Sequence, residues 1–277
     1  MNYLKTTILL VALAALLIWI GDLVGGFNGA MTAFIFALIL NLGSFWFSDK
    51  IVLAMYRAKE LPEGQSPAVY DIVKELAVKA NIPMPKVYLV PIDAPNAFAT
   101  GRNPKNAVVC VTRGILNILD REELEGVIAH EMSHIKNRDT LLMTVAATLA
   151  SAIMMLARWA TIFGGSGDRS ERGRKGNIVA LLAIAILAPL AAMLVQLAIS
   201  RSREYGADSR GAQLVGSGDG LASALRKLHE AAPHYRMNAT PQTAHLFIVN
   251  PLRGDFIANL FSTHPPVEKR IERLRAL

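Results

Sequence analysis

Long apolar runs alternate with polar stretches along the chain, and the first two runs lie near the N-terminus. Residues 4–20 and 30–47 are almost wholly apolar, and a gap of nine residues separates them. Each run approaches the ~20 residues that a bilayer-spanning helix needs. A signal peptide is the alternative for the first run, but no clear small-x-small cleavage site precedes the gap. We therefore predict a transmembrane helical hairpin over residues 1–48.

The charges beside these runs predict an orientation. The connecting loop, residues 21–29, carries Asp22 and no Lys or Arg, whereas Lys50, Arg57 and Lys59 follow the second run. Because Lys and Arg concentrate in the cytoplasmic segments of membrane proteins, both the N-terminus and the chain after the hairpin are expected in the cytosol.

Two further apolar runs, residues 141–163 and 178–199, predict a second hydrophobic hairpin, over residues 141–199, with two transmembrane helices. The loop between them, residues 164–177, contains four basic residues against two acidic ones. A basic loop is unexpected on the outer side of the membrane. A hairpin that stays within the membrane or lies on its surface is therefore the alternative.

The two polar stretches, residues 49–140 and 200–277, predict a cytosolic catalytic domain in two parts. The elements expected there are a helix, a strand, a strand hairpin and two late helices, at residues 66–80, 86–90, 96–112, 219–232 and 265–277. Asp219 is expected to cap the first of the two late helices. The predicted fold class is therefore mainly α with a small β-sheet, in an integral-membrane protein.

Composition supports a membrane protein and excludes several other classes. A hydrophobic content of 52% is too high for a purely soluble protein. The net charge is +7, but the sequence contains no nucleic-acid-binding motif. It also lacks the glycine-rich loop followed by Lys-Ser or Lys-Thr that is typical of ATP-binding proteins. The single cysteine, Cys110, excludes an internal disulfide and a multi-cysteine zinc site, and its apolar neighbours predict a buried strand thiol.

The most specific motif lies in a helix that begins at Asp120, which forms a predicted capping box with Glu123. His130 and His134 are four residues apart, so their rings lie on one helix face and can reach one ion. Glu131 points about 100° round the helix, where it can meet a water beside that ion. This pattern is typical of zincins, with two metal ligands and a general base. A chance match on a solvated helix is the alternative.

A catalytic zinc normally has three protein ligands and a water, so a third ligand is expected. Thr140 occupies the position where a metzincin would have a third histidine. The best candidate is Glu204, with Asp208 one turn later on the same predicted helix. One of the two is expected to bind zinc while the other supports a ligand by a hydrogen bond. An ordinary solvated, charged helix is the alternative.

The order of these motifs resembles the HtpX family of membrane zinc endopeptidases, which also resemble the CAAX prenyl protease. Besides the hydrophobic pairs, the matching segments are residues 96–101, 130–134, 203–208 and 262–266. The resemblance implies one Zn²⁺ per chain, held by His130, His134 and Glu204, and it implies Glu131 as the base. It also implies stress-linked quality control of misfolded membrane proteins in a bacterial or archaeal cell membrane.

Several other residues are candidates near the site. Asn96 and Phe98 lie on a predicted strand and are expected to bind substrate as an added strand; the alternatives are a turn role for Asn96 and strand packing for Phe98. His264, which precedes a Pro-Pro pair, is expected to donate to the substrate carbonyl as negative charge develops there. Capping of the last helix is the alternative for His264. The roles of Asp139 and His245 are left open.

The motifs and the resemblance together predict a zinc-dependent endopeptidase that crosses the cell (inner) membrane several times, with its site facing the cytosol. Its expected substrates are misfolded or damaged membrane proteins and unfolded polypeptides, and its other expected partner is the lipid bilayer. The rival is a non-catalytic membrane scaffold with a structural zinc. Glu131 argues against the rival, because a structural site needs no base.

Overall fold

The structure, a computed structural model, describes residues 2–165, 189, 201–235, 243–249 and 265–277. This part is mostly helical and contains one four-stranded sheet, so the predicted class of mainly α with a small sheet is confirmed. The apolar run at residues 178–199 lies outside the described residues, apart from Pro189.

Helix α1, Asn2–Met55, contains both apolar runs that were predicted as a hairpin. The Nδ2 atom of Asn41 donates to the carbonyl of Leu10, 31 residues earlier, over 3.1 Å. A straight helix would hold these two residues about 46 Å apart, at about 1.5 Å per residue, so the chain reverses between them. Gly26 lies between them and departs from right-handed helical backbone, with a φ of 57°.

One half of α1 is suited to a bilayer by its length and composition. Among the described residues, Gly26–Met55 is the helix that is long and apolar enough to cross a membrane by itself, and Thr6–Trp19 is apolar but shorter. Large apolar side chains on α1 face outward from the protein, with exposed fractions of 77% for Phe27 and 65% for Ile39. The opposite side of α1 packs on a later helix, where Leu13 joins a buried apolar cluster.

The sheet has the strand order β1-β2-β4-β3. Its strands are β1 Lys59–Glu60, β2 Lys86–Val90, β3 Ala97–Thr100 and β4 Val108–Thr112. Strand β4 pairs in parallel with β2 and antiparallel with β3, which confirms the predicted strand hairpin and leaves β3 at an edge. Cys110 is buried on β4, as predicted, and burial raises the pKa of its thiol well above the ordinary value.

The remaining described helices are α2 Pro67–Ala80, α3 Arg113–Ile118, α4 Arg121–Lys136, α5 Asp139–Gly165, α6 Arg201–Val215, α7 Asp219–Ala231 and α8 Val267–Arg275. The predicted capping box is confirmed, because Asp120 accepts from the Glu123 amide and Glu123 accepts from the Asp120 amide. The predicted cap at Asp219 is wrong by one residue: Gly218 is the N-cap of α7, and Asp219 is the first helical residue.

Helix α4 is held between α6 and α7, and it turns sharply into α5. The axes of α4 and α5 differ by 87° across a short break, and α5 then packs on α1. Two glycines allow the close packing of α4. A Cβ at Gly126 would lie 2.5 Å from the backbone nitrogen of Leu221, and a Cβ at Gly211 would lie 3.0 Å from that of His130. Glycine at these positions allows the helix backbones to approach closely. This brings α6 against α4, the helix that carries the HExxH motif of His130, Glu131 and His134.

Candidate metal centre

Three buried side chains from two helices meet at one point. His130 and His134 project from the same face of α4, and their Nε2 atoms are 3.2 Å apart. Glu204 comes from the first turn of α6, with one carboxylate oxygen 3.5 Å from His134 Nε2 and the other 3.8 Å from His130 Nε2. One ligand atom from each residue lies within 4.8 Å of the others. The structure thus brings together the three residues that were predicted as metal ligands.

The chemistry of this donor set fits a tetrahedral divalent cation. Asp208 and Asp139 face the Nδ1 atoms of the two histidines, so each imidazole can present the lone pair of its Nε2 atom to a metal. Two lone pairs and a buried carboxylate then face one another, an arrangement that needs a positive charge between them. Ligands about 2.0–2.1 Å from a tetrahedral zinc are about 3.4 Å apart, close to the observed separations.

The two histidines have different supports. His130 Nδ1 is 2.8 Å from Asp208, which supports the prediction that the partner of Glu204 orients a ligand. His134 Nδ1 is 3.2 Å from Asp139, so the open role of Asp139 is now defined as the partner of that ring. Burial lowers the pKa of His134, but the hydrogen bond to Asp139 and the charge of Glu204 outweigh burial and raise it. The pKa of His130 shifts the other way: burial lowers it, and the hydrogen bond to Asp208 does not outweigh burial.

Glu131 lies beside the three candidate ligands but outside their set. Its side chain is buried, and the backbone N–H of Ala99 on β3 donates to its carboxylate. Burial raises the pKa of Glu131 to about 7; His134 lowers it and Glu204 raises it by smaller amounts. A carboxyl group with a pKa near neutrality can both accept and release a proton near pH 7, as a general acid–base catalyst must.

Asn96 and Phe98 have structural contacts. The Asn96 side chain donates to the carbonyl of Val249 over 2.9 Å and accepts from the amide of Ala97 over 3.1 Å. Phe98 is fully buried, with its ring centroid 5.1 Å from that of Phe247. The packing of Phe98 matches its structural alternative. Addition of substrate as a strand along the edge strand β3 would use main-chain groups, so this binding mode stays a prediction.

The site also contains residues that sequence reasoning missed or that the structure does not describe. Arg270, on α8, is 1% exposed and donates to Asp208. The sequence predicted α8 as a short basic helix, and nothing in that pattern marked Arg270 as buried. His264 lies outside the described residues. His245 lies in a short 3₁₀ turn, Ala244–Leu246, and only its backbone is described.

The fold and the site define a zincin-type metallopeptidase, with an HExxH helix and a third candidate ligand from a later helix. Residues 63–277 match the profile of Peptidase family M48, and the chain belongs to that family. It is therefore a metalloprotease, and the predicted resemblance to HtpX is confirmed by its relatives. It is 58% identical over 277 residues to a "Protease HtpX homolog" of Syntrophobacter fumaroxidans, covering 99% of this chain and 98% of the relative.

Relatives also occur outside the bacteria. A "Protease HtpX homolog" of Pyrococcus furiosus is 56% identical over 279 residues, covering 99% of this chain and 96% of the relative. Among solved structures, the crystal structure of S. mikatae Ste24p is similar, with a TM-score of 0.52 at 18% identity. The match covers 99% of this chain and 65% of the longer Ste24p chain, and it shows a shared fold.

Proposed function

We propose that the protein is a zinc-dependent endopeptidase of the cell membrane, which cleaves misfolded or damaged membrane proteins at the cytosolic face. The observation that carries the proposal is the buried cluster of His130, His134 and Glu204 with Glu131 beside it. This arrangement offers three ligands and a separate base, as catalytic zinc sites do and structural zinc sites do not. The alternative function, a non-catalytic scaffold with a structural zinc, assigns no chemical role to Glu131, because a structural zinc site needs no general base.

The three ligands would hold the zinc, which when bound polarises a scissile carbonyl and lowers the pKa of water toward ~7. Glu131 accepts a proton from the attacking water and later passes it to the leaving amine. The Ala99 N–H holds the Glu131 carboxylate in place for both transfers. His264 is proposed as a further donor to the carbonyl oxygen, where negative charge develops.

The membrane part of the proposal rests on α1 and on charge. The outward-facing apolar side chains of Gly26–Met55 would be costly in water and are favourable in lipid. Lys50, near the C-terminal end of this segment, and Arg57, just after it, lie at the end predicted to face the cytosol. The proposed organisation is a transmembrane hairpin at 1–48, a cytosolic catalytic domain in the parts 49–140 and 200–277, and a hydrophobic hairpin at 141–199.

The test uses full-length protein purified in detergent, with casein as an unfolded substrate. Wild type should contain one zinc per chain and lose cleavage when a chelator removes the metal. Glu131→Gln should keep the zinc and lose cleavage, because Glu131 is a base and no ligand. Glu122→Gln, at an exposed position on the same helix, is the matched control and should retain both. Proteolysis that persists in Glu131→Gln would refute the assigned mechanism.

A further inference from the structure

Arg270 is the largest fully buried side chain among the described residues, and it lies in the last helix, α8. Arginine is almost never fully buried unless its charge is paired, because removing a cation from water is unfavourable. The buried face of α8 also carries Leu274 in the apolar core, with Val267 and Ile271 packed against that core. Arg270 is the one charged side chain that α8 buries, so its burial calls for a specific partner.

The partner is Asp208 on α6, and the contact is bidentate. Arg270 Nη2 donates to Asp208 Oδ1 over 2.7 Å, and Arg270 Nε donates to Oδ2 over 2.9 Å. The third side of the guanidinium donates through Nη1 to the carbonyl of Ile248 over 3.0 Å. The amide of Ile248 in turn donates to Ala97 on the edge strand β3. Arg270 therefore connects the last helix, α6 and the sheet edge at one point.

Asp208 contacts both Arg270 and the candidate metal ligand His130. Its Oδ1 atom, which accepts from Arg270, is also 2.8 Å from Nδ1 of His130. Both oxygens of Asp208 are held by the planar guanidinium group of Arg270, and this two-bond geometry is specific to arginine.

We propose that Arg270 is a positioning residue of the metal centre: by fixing Asp208 it sets the tautomer and ring orientation of His130, so metal affinity depends on the docking of α8. This inference rests on the proposed zinc site. Removal of Arg270 would leave Asp208 as a buried carboxylate free to rotate, and the His130 ring would lose its fixed acceptor.

The test measures zinc affinity by chelator competition on full-length protein in detergent, with thermal unfolding measured in parallel. Arg270→Met and Arg270→Lys should each weaken zinc binding by about 10–100-fold, because neither variant restores the fork. The matched control is Arg273→Met on the same helix. Arg273 is exposed and also contacts α6, but through the ring of Tyr205, whose centroid is 3.9 Å from the guanidinium carbon, rather than through Asp208. The control should bind zinc as wild type does.

A second set of variants separates positioning from general destabilisation. Arg270 also lies 3.9 Å from a Glu204 oxygen and 3.4 Å from Nδ1 of His130, but its shortest contacts are with Asp208. In an Asp208→Asn background, Arg270→Met should therefore cost less zinc affinity than it does in the wild-type background. Cobalt-substituted Arg270→Lys should show an altered visible absorption spectrum, which reports the geometry around the metal. Equal losses of affinity in both backgrounds, or wild-type affinity in Arg270→Met, would overturn the positioning role. Wild-type protein that binds no zinc would instead refute the metal site itself.

Discussion

The packing of α6 on α4 at Gly211 should control both stability and metal affinity. A Cβ added at Gly211 would lie 3.0 Å from the backbone nitrogen of His130 and 3.2 Å from the carbonyl carbon of Ala129. Ordinary contacts begin at 3.4 Å, so the two helices must separate by as much as 0.4 Å. Because Glu204 is on α6 and the histidines are on α4, that separation exceeds the ~0.2 Å tolerance of metal–ligand distances.

Gly206→Ala is the matched control, because it lies on the same helix and its added Cβ meets only the flexible side chain of Arg210, at 3.1 Å. Alanine should stabilise either helical position by up to about 1 kcal/mol through helix propensity. Overpacking at Gly211 should cost about 1–3 kcal/mol, so Gly211→Ala should unfold at a lower temperature than Gly206→Ala. We also expect zinc affinity to fall by roughly tenfold in Gly211→Ala alone.

The assays are thermal unfolding of the metal-free proteins and zinc titration against a competing chelator. Separate measurements matter here, because bound zinc would itself raise the unfolding temperature. If the two alanine variants have the same stability and the same zinc affinity, close helix packing at Gly211 does not position Glu204, and the reasoning fails.

The remaining predictions concern ligands, catalysis and topology. Glu204→Ala should abolish tight zinc binding, whereas Asp208→Ala should weaken it by about 10–100-fold. If metal analysis shows the reverse order, Asp208 is the metal ligand and Glu204 is the supporting residue. His264→Ala should keep zinc and stability while kcat falls by about 10²–10³-fold; lost stability with unchanged turnover per folded molecule would make His264 structural. In a background whose single cysteine is replaced by serine, an introduced cysteine at Gly25 should react with an impermeant thiol reagent from outside the cell, and one at Lys59 should not. Labelling at Lys59 from outside would invert the proposed topology.

Local patterns predicted the parts of the site that depend on local geometry. The i, i+4 spacing of His130 and His134 determines that both rings lie on one face of α4, whatever the rest of the fold does. The spacing of Glu204 and Asp208 likewise predicted one ligand and one supporting carboxylate on α6. These relations are properties of a helix and can be read from a few consecutive residues.

The supporting contacts depend on long-range packing, which local spacing does not encode. Arg270 is 62 residues from its partner Asp208, and it lies in a helix that also contains Lys269 and Arg273. Only the docking of α8 distinguishes the buried arginine from its exposed neighbours. Asp139 was left open for a related reason: its contact with His134 depends on the sharp turn between α4 and α5, and no residue in that turn is a proline or glycine.

The turn between α4 and α5 also determines how far the candidate metal centre lies from the start of the apolar helix α5. Asp139, the first residue of the apolar helix α5, touches the ring of His134, so the reactive centre is tied to the start of that helix. The Asp139 carboxylate lies 3.2 Å from Nδ1 of His134, so only the imidazole ring separates the first residue of α5 from the candidate metal centre. Under the proposed membrane organisation α5 enters the bilayer close to this residue. An extended chain covers about 3.3 Å per residue, so a substrate would then need only a few residues of free chain to reach the centre. Short loops between membrane spans, which a freely diffusing protease reaches with difficulty, would then be within range.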